Sequence, residues 1–169
     1  MDWRYLIGAA VIAASAAACQ SQDSEYDLAE TKRIETMRRP TMVKAGPGPV
    51  APLVRGAADA ARQNAGQVVV YIGATWCEPC KRFKTALAAR SLDSSFPGVR
   101  FVEFDWDRDE KRLKHAGYGG RLIPRFVIPD EHGSASQLRI EGSIKGPGGV
   151  ANITPRLRRL LSNTRSANN

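Results

Sequence analysis

The distribution of apolar residues divides the chain into three parts. Residues 5–18 form an uninterrupted apolar stretch without a charged side chain. Residues 20–52 are poor in core-forming residues, and the sequence Gly46-Pro47-Gly48-Pro49 cannot continue regular structure. From residue 53 onward, apolar runs alternate with polar segments. We therefore predict a signal peptide over 1–18, a tether over 19–52 and a single domain over 53–169.

The predicted domain alternates helices and strands. Val68–Ile72 reads VVVYI between two glycines, which is typical of a strand buried on both faces. Pro129–Ser136 is rich in turn residues and predicts a hairpin between two strands. The other predicted elements are helices over Leu53–Asn64, Pro79–Arg90, Arg108–Ala116 and Gly149–Leu161, and strands over Arg100–Asp105, Arg125–Ile128 and Gln137–Glu141. This order predicts an α/β fold, a central mixed β-sheet flanked by helices on both faces.

The first apolar stretch has the length of a signal-peptide core, because a membrane-spanning helix needs about 20 apolar residues. Arg4 precedes the stretch, which ends Ala16-Ala17-Ala18-Cys19. This ending resembles a bacterial lipobox, in which cleavage leaves the cysteine at the new N-terminus for lipidation. Ala16 and Ala18 also suit ordinary signal peptidase at the same bond, and an uncleaved anchor is a third interpretation. We expect an exported protein on the periplasmic side, held at the membrane by lipid on Cys19.

The net charge of +8 raises the question of an acidic partner. The basic residues are scattered along the chain, and no basic run is interleaved with aromatic residues. Nucleic-acid binding is therefore not expected, and a solvated, mildly basic surface is the preferred interpretation. We expect a monomer.

The candidate chemistry lies at Trp76-Cys77-Glu78-Pro79-Cys80, after the buried strand and at the start of a helix. Two cysteines at this spacing lie on one side of the first helical turn, so their sulfurs can bridge. Unsatisfied backbone N–H groups and the helix dipole stabilise a thiolate there. Such positions lower a cysteine pKa from ~8.5 to about 3.5–7.5. We predict Cys77 as the nucleophile and Cys80 as the residue that resolves the mixed disulfide.

Other uses of the two cysteines fit less well. A purely structural disulfide across so short a loop contributes little stability. A zinc site needs four ligands, and only His115 and His132 could join the pair. Covalent haem needs a histidine after the second cysteine, where the chain has Lys81. We expect no metal and no cofactor, and both histidines are predicted to be surface residues.

Three aspartates alternate after the second predicted strand, as in an acidic metal-binding loop. The preferred interpretation of Asp105, Asp107 and Asp109 is a solvated loop. Trp106, which lies between the first two, is predicted to pack rather than to form part of a site.

Two segments resemble the thioredoxin family. Ala74–Lys81, ATWCEPCK, is similar to the active-site segment of that family. Tyr118–Pro124, YGGRLIP, is similar to the segment that ends in its cis-proline, and this proline lies 44 residues after the second cysteine. Glu141-Gly142 fits the glycine that ends the last strand near the site. The combination is specific, and the resemblance covers roughly residues 67–161.

The resemblance implies a thioredoxin fold with Trp76, Glu78 and Pro79 in the active-site motif. It also implies that Pro124 packs beside the cysteines in a cis peptide bond. The backbone of Ile123 would then receive the substrate chain as an added strand.

The chain departs from the thioredoxin pattern in its acid–base residues. Thioredoxin has a buried aspartate six residues before the nucleophile, where this chain has Tyr71, and the lysine on the neighbouring strand aligns with Glu103. Glu103 and Tyr71 are therefore the candidates for proton transfer to and from Cys80, with Glu78 as a further carboxylate, although a phenol is a poor base at neutral pH. The alternative is that Glu103 points to solvent and the step uses bulk water. Glu78 also replaces a glycine, and a carboxylate there disfavours the Cys77 thiolate, which suits a reductase.

Two classes of function remain open. The first is an exported reductase that receives electrons from a membrane donor and reduces disulfide-containing proteins. The same enzyme running in reverse would be an oxidase. The second is a non-enzymatic adaptor that binds peptides beside Pro124 while its cysteines stay idle.

Overall fold

The computed structural model describes residues 27–28, 30–36 and 38–167. The chain divides into two units, residues 1–37 and 38–169. In the first unit, residues 30–36 are helical. The predicted signal peptide and Cys19 lie outside the described residues and stay predictions. No helix in the described part of the chain combines the length and hydropathy needed to cross a membrane.

The second unit is built on a five-stranded mixed sheet. Its strand order is β1-β3-β2-β4-β5. β1, β2 and β3 run parallel, whereas β4 is antiparallel to both β2 and β5. The strands are β1 Thr41–Lys44, β2 Gln67–Gly73, β3 Val99–Asp105, β4 Arg125–Pro129 and β5 Ala135–Glu141. The mixed sheet predicted from the sequence is confirmed.

Four helices cover the two faces of this sheet. They are α1 Val50–Arg62, α2 Glu78–Ala88, α3 Trp106–His115 and α4 Gly149–Ala167. One core contains Phe83 of α2 and Leu157 of α4. The other contains Val54 of α1 and Leu113 of α3. Helices therefore lie on both faces, as predicted.

Strand β2 lies at the centre of the sheet and separates the two cores. Val69 and Tyr71 point into the core beneath α2 and α4. Val70 and Ile72 point into the core beneath α1 and α3. Alternate residues of a strand face opposite sides, so a strand covered on both sides must be apolar throughout. The apolar run thus makes β2 the central strand. Helix α2 follows β2 in the chain and therefore starts beside the carboxyl end of that strand.

The predicted tether extends too far into the chain, because residues 38–52 belong to the folded unit. Thr41–Lys44 forms edge strand β1, paired in parallel with Arg100–Glu103. Its side chains are mostly exposed, and only Met42 packs against the core. An edge strand held mainly by backbone hydrogen bonds has no apolar run that sequence analysis can detect. For residues 19–37 the tether stays a prediction.

Helix α4 is longer than predicted. The helix continues to Ala167 instead of ending at Leu161. Pro155 lies inside the helix. The apolar face formed by Ile153, Leu157 and Leu161 packs on the core. Packing of that face outweighs the one backbone hydrogen bond that a proline removes.

Candidate functional site

Cys77 and Cys80 form a disulfide at the start of α2. The bond joins the two sulfurs at 2.06 Å, with the Cα atoms 5.2 Å apart. Cys77 is the N-cap residue of α2, and its Sγ accepts a hydrogen bond from the Cys80 N–H at 3.3 Å. The predicted position at a helix N-terminus is confirmed. After reduction, the same N–H and the helix dipole favour a thiolate on Cys77.

The two cysteines differ in their surroundings. Cys77 lines an open groove, whereas Cys80 is not among the residues that form it. Cys77 is 4% exposed and Cys80 1%, and both pack in the core with Phe83. Of the two cysteines, Cys77 therefore borders the surface at which a substrate could bind. This geometry supports the roles predicted for the pair, nucleophile for Cys77 and resolving thiol for Cys80.

The groove beside Cys77 has exposed apolar walls. Trp76, Leu122 and Ile144 are 62%, 59% and 55% exposed, respectively. Monomeric proteins rarely leave several large apolar side chains together in water unless the surface binds something. The sequence analysis found Trp76 but missed Leu122 and Ile144. Their positions next to the Ile-Pro pair and the strand-ending glycine are the signal that could have found them.

The predicted substrate-binding segment lies at the same groove. The Ile123–Pro124 peptide bond is cis, and Pro124 is buried. The Pro124 carbonyl accepts a hydrogen bond from the Gly142 N–H at 2.9 Å. Within residues 38–167, no hydrogen bond occupies the N–H or the C=O of Ile123. Ile123 also lines the groove, so its two unpaired backbone groups lie beside the surface that Cys77 borders.

Trp76 is held in place despite its exposure. Its indole Nε1 donates to Asp107 Oδ2 at 2.8 Å, across 31 residues of sequence. Asp105 is the N-cap of α3 and accepts from the Asp107 and Arg108 N–H groups at 3.1 and 2.9 Å. The prediction of a solvated acidic loop is therefore wrong for these two aspartates. One carboxylate starts a helix, and the other orients the ring that borders the groove.

Asp109 is also unlike a solvated loop residue, because it is only 3% exposed. Burial disfavours its charged form, but hydrogen bonds from Arg108, the Asp105 N–H and Arg112 outweigh burial and lower the carboxyl pKa. Arg112 in turn donates to the Gly46 and Gly48 carbonyls at 2.8 and 2.9 Å. Asp109 thus anchors the loop between β1 and α1.

Two further predictions, the exposure of the histidines and the packing of Trp106, are confirmed. His115 and His132 are both exposed. Trp106 is half-buried and packs against both cores. In the part of the chain that the structure describes, no three His, Cys, Asp or Glu side chains are grouped so that they could hold a metal ion.

Glu78, between the two cysteines, points towards a neighbouring loop. Its carboxylate pairs with Arg82 and accepts the Gly146 N–H at 3.1 Å. The hydrogen bond from Arg82, supported by Gly146 and by the charge of Lys145, lowers the Glu78 pKa. These cationic partners offset the negative charge that was expected to disfavour the Cys77 thiolate. A lowered pKa also makes Glu78 a poorer proton acceptor than predicted.

Tyr71 occupies the interior beneath the second cysteine. Its ring is fully buried, and its hydroxyl donates to the Cys80 carbonyl at 3.5 Å. Burial, followed by the nearby charge of Glu103, raises the Tyr71 pKa far above its ordinary value. The phenol therefore stays protonated and cannot act as a base at neutral pH. A Cβ at Gly73 would collide with the Tyr71 hydroxyl, so glycine makes room for this ring.

Glu103 lies opposite Tyr71 in the register of β2 and β3. Its side chain is 16% exposed and pairs with Lys84, with Nζ and Oε1 2.6 Å apart. Tyr71, Lys84 and Glu103 line the same cavity. Glu103 is therefore neither a freely solvated carboxylate nor an isolated buried acid. Its predicted role in proton transfer to Cys80 stays a prediction.

Arg125 is the most prominent residue that sequence analysis missed. It follows Pro124 directly and its side chain is 0% exposed. It forms an ion pair with Glu141 and lies over the Trp106 ring, 4.8 Å from the ring centroid. An arginine at the start of a strand has no sequence signal that distinguishes it from a surface arginine.

Fold and site together define a class of protein. A sheet of order β1-β3-β2-β4-β5, a CxxC disulfide at a helix N-terminus and a cis-proline across the groove are the features of thioredoxin-fold proteins. A family model described as thioredoxin-like matches residues 53–130.

Curated relatives agree with this class. The chain is 33% identical over 67 residues to "Thioredoxin Asp f 29" of Aspergillus fumigatus, an alignment covering 40% of this chain and 59% of that protein. It is 31% identical over 90 residues to a thioredoxin of Ophiophagus hannah, covering 48% of this chain and 82% of that protein. The chain belongs to the thioredoxin-like family.

Solved structures of thioredoxins are also similar. Spinach chloroplast thioredoxin f, long form, aligns with a TM-score of 0.47 and 23% identity, covering 82% of this chain and 95% of that one. Trichomonas vaginalis thioredoxin aligns with a TM-score of 0.48 and 22% identity, covering 72% and 96%, respectively.

Proposed function

We propose that this protein is a thiol–disulfide oxidoreductase that reduces disulfides of exported proteins. The observation that carries the proposal is the position of Cys77. Its sulfur caps α2, and the residue borders an open groove that is also lined by Ile123, whose backbone has no partner within residues 38–167 and which precedes cis-Pro124. This arrangement combines an activated thiol with a surface that can hold a polypeptide.

The proposed reaction starts from the reduced protein. The Cys77 thiolate attacks one sulfur of the substrate disulfide, forms a mixed disulfide and releases the other substrate sulfur as a thiolate. Cys80 loses its proton and attacks the Cys77 sulfur, which releases the second substrate thiolate and forms the Cys77–Cys80 disulfide. Two protein thiols are oxidised and one substrate disulfide is reduced. A membrane dithiol donor would return the protein to its reduced state.

The groove favours an extended polypeptide as substrate. An added strand can pair with the N–H and C=O of Ile123, which is the β-augmentation mode of peptide recognition. Trp76, Leu122 and Ile144 supply apolar surface on either side of the reacting sulfur. Backbone pairing is independent of the substrate sequence, so a range of unfolded or flexible disulfide-bonded segments would bind.

The proposed location rests on the N-terminal sequence. The uncharged apolar stretch over residues 5–18 and the lipobox-like ending at Cys19 support export and lipid attachment. Cys19 is the third cysteine of the chain, and lipidation would leave no free thiol in an oxidising compartment. Residues 20–37 would then hold the domain away from the membrane.

The test is reduction of insulin by the purified protein with dithiothreitol as donor, together with redox titration of the Cys77–Cys80 pair. We expect insulin reduction and a potential close to that of thioredoxin, about −270 mV. Cys77→Ser should abolish turnover, and reduced Cys80→Ser freed of dithiothreitol should accumulate mixed disulfides with insulin. Cys19→Ser is the matched control and should leave activity unchanged.

The same measurements separate the alternatives. A potential close to about −120 mV would identify an oxidase. One specific observation favours the oxidase alternative. The Glu78 carboxylate was expected to make the disulfide less oxidising, but its contacts with Arg82 and the Gly146 N–H offset its negative charge. Peptide binding without insulin reduction in the wild-type protein would identify an adaptor and contradict the proposed reaction.

A further inference from the structure

A charged pair, one side chain buried and the other half-buried, lies beneath the groove. The Arg125 side chain is 0% exposed, and that of Glu141 is 24% exposed. Their atoms Nε and Oε1 are 3.1 Å apart, and the two residues are partners in the register of β4 and β5. Burying a guanidinium is costly unless hydrogen bonds satisfy its donors. The other contacts of these two side chains therefore indicate what the pair does.

The Nε–Oε1 contact is an ion pair without hydrogen-bond geometry, and the hydrogen bonds of the two side chains go to one short loop. Arg125 donates from Nη1 to the Tyr118 carbonyl at 2.8 Å and from Nη2 to the Leu122 carbonyl at 3.0 Å. Glu141 Oε2 accepts from the Arg121 and Leu122 N–H groups at 3.1 Å each. Both backbone groups of Leu122, the residue before Ile123, are thus held by the charged pair.

The loop is shaped to fit this pair. A Cβ at Gly120 would collide with the Arg125 guanidinium and with the Glu141 carboxylate. The Trp106 ring closes the other side of the guanidinium. The planar fork of arginine reaches two carbonyls and one carboxylate at once, which the single ammonium of lysine cannot do. The geometry is therefore specific to arginine at this position.

We propose that Arg125 and Glu141 are positioning residues for polypeptide substrates, an inference that rests on the proposed function. The pair fixes Leu122 from both sides, so the adjacent Ile123 holds its N–H and C=O towards the groove before a substrate arrives. A backbone already ordered for strand pairing loses less conformational entropy on binding. The pair acts on substrate binding and takes no part in the thiol chemistry at Cys77.

This role separates two kinds of substrate. Insulin needs the strand-pairing position at Ile123, whereas the small aromatic disulfide 5,5′-dithiobis(2-nitrobenzoate) needs only the Cys77 sulfur. Arg125→Met removes the fork while keeping an unbranched side chain. We expect its KM for insulin to rise about tenfold, which corresponds to about 1.4 kcal/mol of binding free energy. The rate with the small disulfide should change by less than about twofold, a negligible free-energy difference.

Arg125→Lys and Glu141→Gln extend the test. Lysine keeps the charge but not the fork, so Arg125→Lys should not restore the wild-type KM for insulin. Glu141→Gln should also raise this KM. Amide hydrogen exchange at Leu122 provides a readout that does not depend on activity, and exchange should be faster in all three variants because this N–H loses an ordered acceptor.

Arg112→Met is the matched control. Arg112 also pairs with a buried carboxylate and donates to two loop carbonyls, but those lie between β1 and α1, outside the groove. It should lower thermal stability without changing the ratio of insulin to small-disulfide rates. Equal losses on both substrates in Arg125→Met, or unchanged Leu122 exchange, would overturn the positioning role. A wild-type protein that reduces neither substrate would contradict the proposed function, while the exchange measurement would still test the pair.

Discussion

Proton transfer to and from Cys80 depends on residues that this chain does not share with the thioredoxin pattern. Tyr71 fills the position of the buried carboxylate, and its raised pKa removes it as a base. Glu103 is the carboxylate nearest in register, and its pairing with Lys84 holds it in the cavity that Tyr71 also lines. Substitutions of Tyr71 and Glu103 can therefore show which of the two side chains takes part in proton transfer to and from Cys80.

Glu103→Gln should slow resolution of the mixed disulfide and remove a pH-dependent phase from turnover, because an amide cannot accept the Cys80 proton. Tyr71→Phe is the matched control. It should retain the wild-type pH profile and lose at most about 1 kcal/mol in free energy of unfolding, the usual contribution of one hydrogen bond. The measurement is the pH dependence of single-turnover insulin reduction. A Glu103→Gln profile identical to that of wild type would assign the proton to bulk water.

At the level of elements, α3 is tied to its surroundings by acidic residues at its N-terminal end. Asp105 caps the helix, Asp107 binds the Trp76 indole, and Asp109 binds Arg108 and Arg112. Carboxylates near a helix N-terminus are also favoured by the helix dipole. The same turn therefore sets the position of the ring beside the groove and of the loop that follows β1.

Asp109→Asn should lower the free energy of unfolding at neutral pH by about 1–3 kcal/mol, because two arginines lose a charged acceptor. The pKa of Asp109 is lowered in the folded protein, so its contribution is present above the unfolded pKa of about 3.9. That contribution is lost as the pH falls through the folded value. In urea unfolding, the difference in free energy of unfolding between variant and wild type should therefore become smaller below about pH 4.

Asp59→Asn is the control for this titration. Asp59 pairs with Arg62 on the surface of α1, with 53% of its side chain exposed. Exposed ion pairs contribute about 0–1 kcal/mol, so the variant should match wild type across the same pH range. If the free energy of unfolding of Asp109→Asn differed from that of wild type by the same amount at every pH, the charge of the Asp109 carboxylate would not stabilise the fold.

For the whole molecule, the start of the folded unit is the point at which sequence and structure differ most. The sequence predicted the domain from residue 53, whereas the compact unit starts at Arg38. The additional residues include β1 and the first turn of α1, in which Val50 is only 2% exposed. These residues cover the outer edge of β3 and complete the core beneath α1 and α3.

A chain of residues 38–169 should unfold in urea at the same midpoint as the full chain. A chain of residues 53–169 should be less stable by at least about 2 kcal/mol, the contribution of one fully buried valine, and it also loses strand β1. Urea denaturation followed by tryptophan fluorescence checks both. Equal stability of the two shortened chains would mean that β1 does not contribute to the fold.

Local sequence patterns were sufficient for the central features of this protein. The VVVYI run predicted the central strand, because a strand covered on both faces must be apolar at every position. The WCEPC segment predicted a redox pair at a helix start, because spacing and the helix N-terminus act over a single turn. The Ile-Pro pair was identified by its resemblance to a family segment, and the cis bond at this position is observed.

The tertiary structure alone decided which distant residues surround that pair. Trp76 meets Asp107 across 31 residues, and Glu78 meets Gly146 across 68. Arg125 and Glu141 form an ion pair because the register of β4 and β5 places them opposite one another. The charged residues among them, Glu78, Asp107, Arg125 and Glu141, are of types that usually lie on the surface. Their partners are set by strand register and loop packing, which no short-range pattern in the chain encodes.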